Sequence, residues 1–321
     1  MDSRRRDRYE RQSQHFKTKA PRTAKDSKRP NKLPTIRKHT KEENIALANE
    51  TLDIINNLMS YRSSTGQQVP ILKALHNIKT FSYPPNYVWP DITSGQFETE
   101  FEVILETTLQ GCARMSAAID DSMKLESGED TNLEKSEHPI IGCLNFASAK
   151  NPGGGFLRGT MAQEESIAYS SALYLSLKDN PMYNYNRDNL HDGLYSDYMI
   201  ISHQVPVFRN DNRELLDKPY NITFLTVPAV NAGIARSYGI TEDVITKTMK
   251  QRADKLLAMA YQHNIEILIL GSWGCGVFQN DIEMVAGLFV ELLTTKYNGC
   301  FKQVVFSILD PEHLEIFKTY F

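Results

Sequence analysis

The sequence lacks the features that mark several protein classes. It has four cysteines in 321 residues and no Cys-x-x-Cys pair, which disfavours a zinc knuckle and predicts reduced intracellular thiols. It has no apolar run of the ~18 residues that a membrane span needs. It begins Met-Asp-Ser-Arg-Arg-Arg with no apolar stretch behind, so no secretory signal is predicted. We therefore expect an intracellular protein, cytoplasmic or nuclear, without a membrane partner.

Charge is distributed unevenly along the chain. Residues 1–41 contain 15 Lys or Arg and four Asp or Glu, a balance of +11, whereas the remainder carries −14. Residues 1–40 have few large apolar side chains and are predicted to be a disordered basic tail. Two interpretations of this tail remain open. In the first, the tail has a function, either weak contact with nucleic acid or a nuclear localisation signal. In the second, it only keeps the protein soluble.

The chain after the tail is predicted to form one domain, residues 41–321, with an N-terminal extension to residue 138. Thr40 and Glu43 have the spacing of a capping box, and helical periodicity predicts a helix over 42–60. The stretch 78–100 is rich in Pro, Tyr and Trp and is interpreted as an irregular covering segment. Residues 120–137 hold seven acidic and two basic side chains, which predicts a solvated loop.

From Pro139 onward, short apolar runs alternate with helical patterns. The predicted strands are Ile140–Phe146, Met199–Phe208, Ile222–Val227, Ile265–Leu270 and Val304–Leu309. The predicted helices are 165–177, 242–262 and 281–296, the last with Asp281 as its cap. Alternation of this kind predicts an α/β fold, a mainly parallel mixed sheet flanked by helices on both faces.

Two glycine-rich segments follow predicted strands and precede helices. The first, residues 145–155, reads Asn-Phe-Ala-Ser-Ala-Lys-Asn-Pro-Gly-Gly-Gly and leads to Gln163-Glu164-Glu165. The second, residues 271–278, reads Gly-Ser-Trp-Gly-Cys-Gly-Val-Phe. Glycines let the backbone approach a ligand, and free amides near a helix N-terminus bind anions. Because ligands bind at the carboxyl ends of strands in such sheets, both segments are predicted to form one site suited to a diphosphate.

The glycine segments do not fit the commonest nucleotide-binding motifs. Neither contains Gly-x-x-x-x-Gly-Lys-Ser/Thr, which disfavours a P-loop nucleoside triphosphatase. No Gly-x-Gly-x-x-Gly follows a first strand, which disfavours a dehydrogenase. The sequence does resemble poly(ADP-ribose) glycohydrolases, whose signature is Gly-Gly-Gly, seven residues, then Gln-Glu-Glu. The segments GLYSDYMIISHQVPVF, VPAVNAG and LILGSWGCGVFQND are similar to the shorter, bacterial-type branch, and the resemblance runs in order from about residue 42 to 310.

The resemblance implies a macrodomain-like fold and hydrolysis of the ribose–ribose O-glycosidic bond of poly(ADP-ribose), which we expect to proceed from the chain end. No cofactor is expected, and no metal either, because no cluster of His, Cys and Asp has the spacing of metal ligands. The resemblance implies that Glu165 is the general acid/base and that Glu164 holds ribose hydroxyls beside the scissile bond. It also implies that Phe278 packs on the sugar. The residues implied to contact ADP-ribose are Asn145, Gly153, Gly154, Gly155, Gln163, Asn231, Gly274, Cys275, Gly276, Val277 and Phe278.

Other functions remain open on the residues alone. Glycosidic cleavage needs a proton donor and charge stabilisation, which the Glu164–Glu165 pair offers, whereas a reader module that only binds ADP-ribose needs no second carboxylate. A hydrolase of mono-ADP-ribose on protein or nucleic acid is a third possibility. Two adjacent glutamates at a helix start also occur simply to complement the helix dipole. Cys275 is interpreted as a small residue that lets its loop close, rather than as a nucleophile paired with His203 or His263.

Overall fold

The computed structural model describes residues 39–93, 95–126 and 139–321. Residues 1–38 of the predicted basic tail and residues 127–138 of the predicted acidic loop lie outside this described part of the chain. All described residues belong to one compact unit. Among the helices of these residues, none is long and apolar enough to cross a membrane.

The described residues form two β-sheets. The smaller sheet pairs β1 (Ser60–Arg62) with β2 (Gln68–Pro70). The larger sheet contains β3 (Lys79–Tyr83), β4 (Glu100–Leu105), β5 (Ile140–Phe146), β6 (Met199–Arg209), β7 (Leu215–Val227), β8 (Ile265–Leu270) and β9 (Gln303–Ile308). The order of strands across it is β3-β6-β7-β5-β8-β9-β4.

Helices cover the larger sheet and connect its strands. They are α1 (Lys41–Asp53), α2 (Leu72–His76), α3 (Thr108–Glu126), α4 (Gln163–Ser170), α5 (Leu173–Leu177), α6 (Pro181–Asn189), α7 (Ala232–Ser237), α8 (Glu242–Gln262), α9 (Ile282–Thr294) and α10 (Pro311–Tyr320). A π-helical turn, Ile54–Leu58, follows α1, and a 3₁₀ turn, Phe156–Arg158, precedes α4.

The larger sheet is mixed and mainly parallel, which confirms the predicted fold class. Strands β7, β5, β8, β9 and β4 are parallel neighbours, and the antiparallel pairs are β3 with β6 and β6 with β7. The carboxyl ends of the five parallel strands therefore meet at one edge. The two glycine segments follow β5 and β8, which are adjacent, so the fold brings them together at that edge.

Helices pack on both faces of the sheet, as predicted. Successive side chains of a strand point to opposite faces, so neighbours in β5 join different cores. Leu144 belongs to a buried cluster with Leu256 of α8 and Phe289 of α9. Cys143 belongs to another, with Cys112 of α3. The apolar runs in the strands thus reflect burial on two sides, which is typical of parallel sheets.

The predicted first helix is confirmed in position and is regular over most of its length. Thr40 Oγ1 accepts a hydrogen bond from the N–H of Glu43 at 3.2 Å, and Glu43 Oε2 accepts one from the N–H of Thr40 at 2.8 Å. This is the predicted capping box. The regular helix ends at Asp53 and widens into the π-helical turn, which stops at Met59, where φ is 50°.

Helix α1 packs against the start of α4, next to the first glycine segment. Asn44 Nδ2 donates to the carbonyl of Gly159 at 2.9 Å, and Thr51 Oγ1 donates to the carbonyl of Tyr169 at 2.8 Å. The guanidinium of Arg209, at the end of β6, is fully buried and donates to Glu50 Oε2 at 3.0 Å. Helix α1 is thereby attached to the elements that carry the candidate site.

The interpretation of 78–100 as an irregular covering segment is wrong at both of its ends. Lys79–Tyr83 forms β3 and pairs with β6, and Glu100 begins β4, which pairs with β9. These strands are the two edges of the sheet, and most of their side chains are exposed or half-buried. An edge strand that buries little apolar surface lacks the run of apolar residues by which the inner strands were found. The sheet therefore takes two strands from the segment before residue 139.

Two further predictions need correction. Residues 120–126 continue α3, whose buried side chains Leu109, Cys112 and Met115 recur at helical spacing. Asp120 is half-buried and Asp121 is exposed on a later turn of that helix. The predicted helix 165–177 is interrupted at Ser171, which has extended backbone and forms a β-bridge with Val207. The predicted cap is confirmed, because Asp281 Oδ1 accepts from the N–H of Met284 at 2.8 Å.

Candidate active site

The first glycine segment turns back onto the carboxyl groups of α4. Gly153 and Gly154 have φ of 67° and 64°, in the left-handed region that glycine adopts without strain. A Cβ at Gly154 would lie 2.5 Å from Oε1 of Glu165. Glycine at this position is therefore what allows the loop to approach the glutamate pair so closely.

Glu165 is held at the start of α4 by this loop. The N–H of Gly155 donates to Glu165 Oε1 at 2.8 Å, and the residue is 5% exposed. Its second oxygen, Oε2, makes no hydrogen bond with the described part of the chain. The carboxyl group is thus fixed in position with one oxygen available to a ligand.

Glu164 is 3% exposed and lines the cavity. The N–H of Ser148 donates to its Oε2 at 2.7 Å, and Asn145 Nδ2 donates to its Oε1 at 3.3 Å. Burial is the main cause that raises the pKa of Glu164 to about 8, and the neighbouring charge of Glu165 adds to the rise. Hydrogen bonds from Ser148, Asn145 and Gly153 oppose it. Glu164 is therefore mainly protonated at neutral pH, next to a carboxyl group that faces the cavity.

Gln163 and Asn145 connect the start of α4 to the end of β5. Gln163 Nε2 donates to the carbonyl of Leu144 at 2.8 Å. Asn145 is fully buried and donates to Glu164 and, at 3.2 Å, to Thr226 Oγ1, while its Oδ1 has no partner among the described residues. Asn145 was expected to contact ADP-ribose, but the structure places it behind Glu164. Its closeness to the site comes from the strand end, and its contacts orient the glutamate.

The second glycine segment closes against the end of β7. Gly274 has φ of 75°, and a Cβ there would lie 2.5 Å from the Cβ of Ala229. Asn280 Nδ2 donates to the carbonyl of Gly274 at 3.0 Å and to that of Val230 at 2.7 Å. These contacts bend residues Gly274–Phe278, here called the amide loop, into a fixed turn.

The amide loop presents unused backbone donors. The N–H groups of Gly276, Val277 and Phe278 donate no hydrogen bond within the described chain. The side chain of Val277 points to solvent and is 81% exposed, so its backbone is accessible. Successive free N–H groups in a turn form a concave anion site. The predicted diphosphate cradle is therefore available in the structure.

Cys275 lies within the amide loop but is not activated. Burial, with the charge of Asp281, raises the pKa of its thiol to about 12. The two histidines considered as bases contact each other, with His203 Nε2 2.8 Å from His263 Nδ1. His263 Nε2 is in turn 2.6 Å from the hydroxyl of Tyr83. A thiol at this position closes the loop and has no thiolate character for nucleophilic attack.

Phe278, Asn231 and Tyr195 meet beside the amide loop. The ring centres of Tyr195 and Phe278 are 6.2 Å apart. Asn231 caps α7, since its Oδ1 accepts from the N–H of Ile234 at 3.1 Å, and its side chain also hydrogen-bonds Tyr195. Tyr195 was not identified as a site residue from the sequence, because it lies in a short loop, two residues after Gly193, that has no regular periodicity.

Both loops line one cavity of about 900 Å³. The predicted residues in its lining are Gly154, Gln163, Glu164, Glu165, Gly274, Gly276, Val277 and Phe278. The predicted residues outside its lining are Asn145, Gly153, Gly155, Cys275 and Asn231. The site thus unites segments that are more than 100 residues apart in the chain.

The cavity continues beyond the predicted residues. One side reaches the ends of β9 and β4, at Ser307, His313 and Glu106, and another reaches Asn44 of α1. None of these residues belongs to a recognisable motif, and Glu106 follows the edge strand β4, so sequence patterns did not find them. Among the described residues, no group of three or more His, Cys, Asp or Glu side chains is placed to hold a metal ion.

Comparison with known proteins identifies relatives that are similar in sequence and fold. The family model described as "Microbial-type PARG, catalytic domain" matches residues 48–210. Poly(ADP-ribose) glycohydrolase (PARG) from Thermomonospora curvata is 37% identical, with 87% of this chain and 100% of that chain covered and a TM-score of 0.74. The Deinococcus radiodurans enzyme in complex with ADP-ribose is 36% identical, with 75% and 93% covered and a TM-score of 0.63.

A further structure shows the Thermomonospora curvata enzyme with the inhibitor ADP-HPD, at 36% identity and a TM-score of 0.71. No curated protein matches the chain. The match over half of the chain and the full coverage of a relative confirm the resemblance and the macrodomain-like fold. With its paired glutamates between two glycine loops, the chain belongs to the microbial-type poly(ADP-ribose) glycohydrolase family.

Proposed function

We propose that this protein hydrolyses poly(ADP-ribose), cleaving the ribose–ribose O-glycosidic bond and releasing ADP-ribose. The observation that carries the proposal is the shared cavity of the Glu164–Glu165 pair and the amide loop. One side offers carboxyl groups for glycosidic cleavage, and the other offers free amides for a diphosphate. A relative of known structure binds ADP-ribose, and the family to which the chain belongs is named for this reaction.

The order of strands suggests how the substrate lies. The glutamate pair follows β5, the amide loop follows β8, and the cavity then passes the ends of β9 and β4. We place the distal ribose between Glu165 and the first glycine loop, with Phe278 packed on the sugar. The diphosphate lies on the amide loop, and the adenosine lies toward Ser307 and Glu106. Three consecutive parts of ADP-ribose thus match three neighbouring strand ends.

The two glutamates have different tasks in this proposal. Glu165, with Oε2 unengaged, donates a proton to the bridging oxygen as the bond to the distal ribose breaks. The resulting carboxylate then takes a proton from the water that adds to the same carbon. Glu164 has both oxygens engaged by the protein, and its retained proton gives it a donor for a ribose hydroxyl. Asn145 and Gln163 are positioning residues that act through the pair.

The test compares two substrates. Purified protein is incubated with labelled poly(ADP-ribose) and, separately, with a mono-ADP-ribosylated protein, and the products are resolved by chromatography. Release of ADP-ribose from the polymer alone supports the proposal. Release from the mono-ADP-ribosylated protein alone favours the second kind of hydrolase, and tight binding without release favours a reader module.

The same reaction reports where the polymer is cleaved. Cleavage from the chain end gives ADP-ribose as the early product, while the remaining polymer shortens one unit at a time. Cleavage within the chain gives shorter oligomers before free ADP-ribose accumulates. We expect the first pattern, and early oligomers would contradict it.

A further inference from the structure

The amide loop supplies hydrogen bonds to an anion but no net positive charge. Neutral amides orient dipoles toward a phosphate without cancelling its charge. The described lining of the cavity contains no lysine, and its two guanidinium groups, those of Arg209 and Arg213, are engaged with Glu50 and Asn44 of α1. A diphosphate bound there, beside two glutamates, is stabilised further by a cation close to the amide loop.

Lys150 is a cation close to the site, outside the described lining of the cavity. It lies in the first glycine segment, and its Nζ is 3.5 Å from Nδ1 of His191 and 5.9 Å from the ring centre of Tyr195. Arg187 donates to the backbone carbonyl of Lys150 and holds this part of the segment in place. Within the described chain, no carboxylate forms an ion pair with Lys150, and the nearby Asp192 accepts from a backbone amide.

Tyr195 connects this cation to the amide loop. Its ring centre is 5.9 Å from Lys150 Nζ and 6.2 Å from the ring centre of Phe278, so it lies close to both. Tyr195 has φ of 58°, which is strained for a large side chain. Buried Arg252 maintains this conformation by donating to the carbonyl of Leu194 at 2.9 Å and to that of Tyr195 at 3.4 Å. Strain that the surroundings hold in place is typical of functional sites.

We propose that Lys150, positioned by the ring of Tyr195, is the cation that neutralises the diphosphate of bound ADP-ribose. This inference rests on the proposed function, since it takes the diphosphate to lie on the amide loop. A lysine has a flexible four-carbon stem, so its ammonium group can move from the tyrosine ring to a phosphate at the adjacent loop. Lys150 is a binding residue in this proposal and takes no part in proton transfer.

The test measures binding and turnover separately. ADP-ribose is titrated calorimetrically into the wild type, K150Q and K150R at low and at high salt, and kcat is measured on poly(ADP-ribose). Loss of a charge-assisted contact is expected to raise the Kd of K150Q roughly 10- to 100-fold at low salt. We expect K150R to stay within a few-fold of the wild type, and kcat of K150Q to change little. The difference should shrink at high salt, because added ions screen the contact.

The matched control is K302Q. Lys302 is exposed and precedes β9 at the end of the sheet opposite the site, so its loss removes the same charge without touching the cavity. A Kd for K150Q within twofold of the wild type overturns the proposal. So does an equal loss in K302Q, or a lower kcat with unchanged Kd. K150M repeats the test if thermal melting shows that K150Q is unfolded.

These outcomes are distinct from failure of the proposed function. If the wild type neither binds ADP-ribose nor releases it from the polymer, the proposed function is wrong. If the wild type and K150Q both bind and cleave normally, the proposed function stands and only the role of Lys150 is wrong. Tyr195 is tested by Y195A. The effects of Y195A and K150Q on Kd should not add in the double variant, because both substitutions remove the same contact with the diphosphate.

Discussion

Replacement of Glu164 by glutamine should stabilise the protein at alkaline pH. The carboxyl group is 3% exposed, and burial raises its pKa to about 8. The folded protein therefore binds this proton more tightly than the unfolded chain, in which a glutamate has its ordinary pKa of 4.5. The stability that the folded protein gains from binding this proton is fully present below about pH 4.5 and is lost as the pH rises through about 8. Glutamine stays neutral and does not incur that loss.

The size of the effect follows from the difference between these two pKa values. A rise of the pKa from 4.5 to about 8, at 1.36 kcal/mol per pKa unit, limits the gain in the free energy of unfolding to roughly 5 kcal/mol. We expect roughly 2–4 kcal/mol after local relaxation around the charged group. The glutamine oxygen can still accept from the N–H of Ser148. Its amide can donate to Asn145, whose Oδ1 is buried without a partner among the described residues, if that side chain turns over. The substitution thus removes a buried charge and leaves few groups unsatisfied.

The assay is thermal unfolding of the wild type and E164Q at pH 5 and pH 9. At roughly 2–3 °C per kcal/mol, E164Q should melt about 4–12 °C above the wild type at pH 9, and the two should nearly coincide at pH 5. The control is E98Q, because Glu98 is exposed. An equal difference at both pH values, or an E164Q protein that is less stable at pH 9, would refute the assignment of the proton to Glu164.

Four further predictions concern catalysis and stability. E165Q should lower kcat on poly(ADP-ribose) by roughly 10²- to 10⁴-fold and leave the Kd for ADP-ribose within a few-fold, because only the acid can donate and recover a proton; near-normal turnover would exclude Glu165 as the catalytic acid. Dialysis against a chelator should leave turnover unchanged, and activity that is lost and then restored by zinc or magnesium would contradict this. Deletion of residues 1–38, whose basic side chains attract a polyanion, should lower kcat/KM on long polymer at low salt. The difference should vanish at high salt, once the Debye length falls well below ~10 Å. Identical low-salt kinetics of the full-length and truncated proteins would show that the tail does not contribute to turnover. Burial, with the charge of His203, lowers the pKa of His263 to about 4, so stability should fall as the pH drops from 6.5 to about 4, and H263Q should reduce that fall; equally steep acid unfolding in H263Q would contradict it.

Local patterns were enough to predict the inner part of the fold. The four strands β5, β6, β8 and β9 bury most of their side chains, so each appears as an apolar run bounded by polar residues. The capping box of α1 and the cap of α9 are short-range hydrogen bonds between residues three apart, and they were found for the same reason. The edge strands β3 and β4 bury few of their side chains, so they do not appear in the sequence as such apolar runs.

The candidate site was also predictable only in part, where its residues belong to local sequence motifs. Gly154 and Gly274 require positive φ and leave no room for a Cβ, so their identity is visible as a local motif. Tyr195, by contrast, joins the site through Phe278, 83 residues later in the chain, and no spacing rule covers such a contact. The proton on Glu164 is equally invisible in the sequence, because it depends on how completely the fold excludes water.

The attachment of α1 to the helix that carries the glutamate pair has a consequence for how the two segments can change over time. Arg209 is fully buried, and its charge is compensated from α1 by Glu50, while Asn44 and Thr51 of the same helix bind the carbonyls of Gly159 and Tyr169. Glu50 is half exposed, but its loss alone removes the carboxylate that pairs with the buried guanidinium, which is destabilising. A homologous α1 can therefore be exchanged only together with the residue that ends β6. The two segments, about 150 residues apart in the sequence, should be inherited and substituted as a pair.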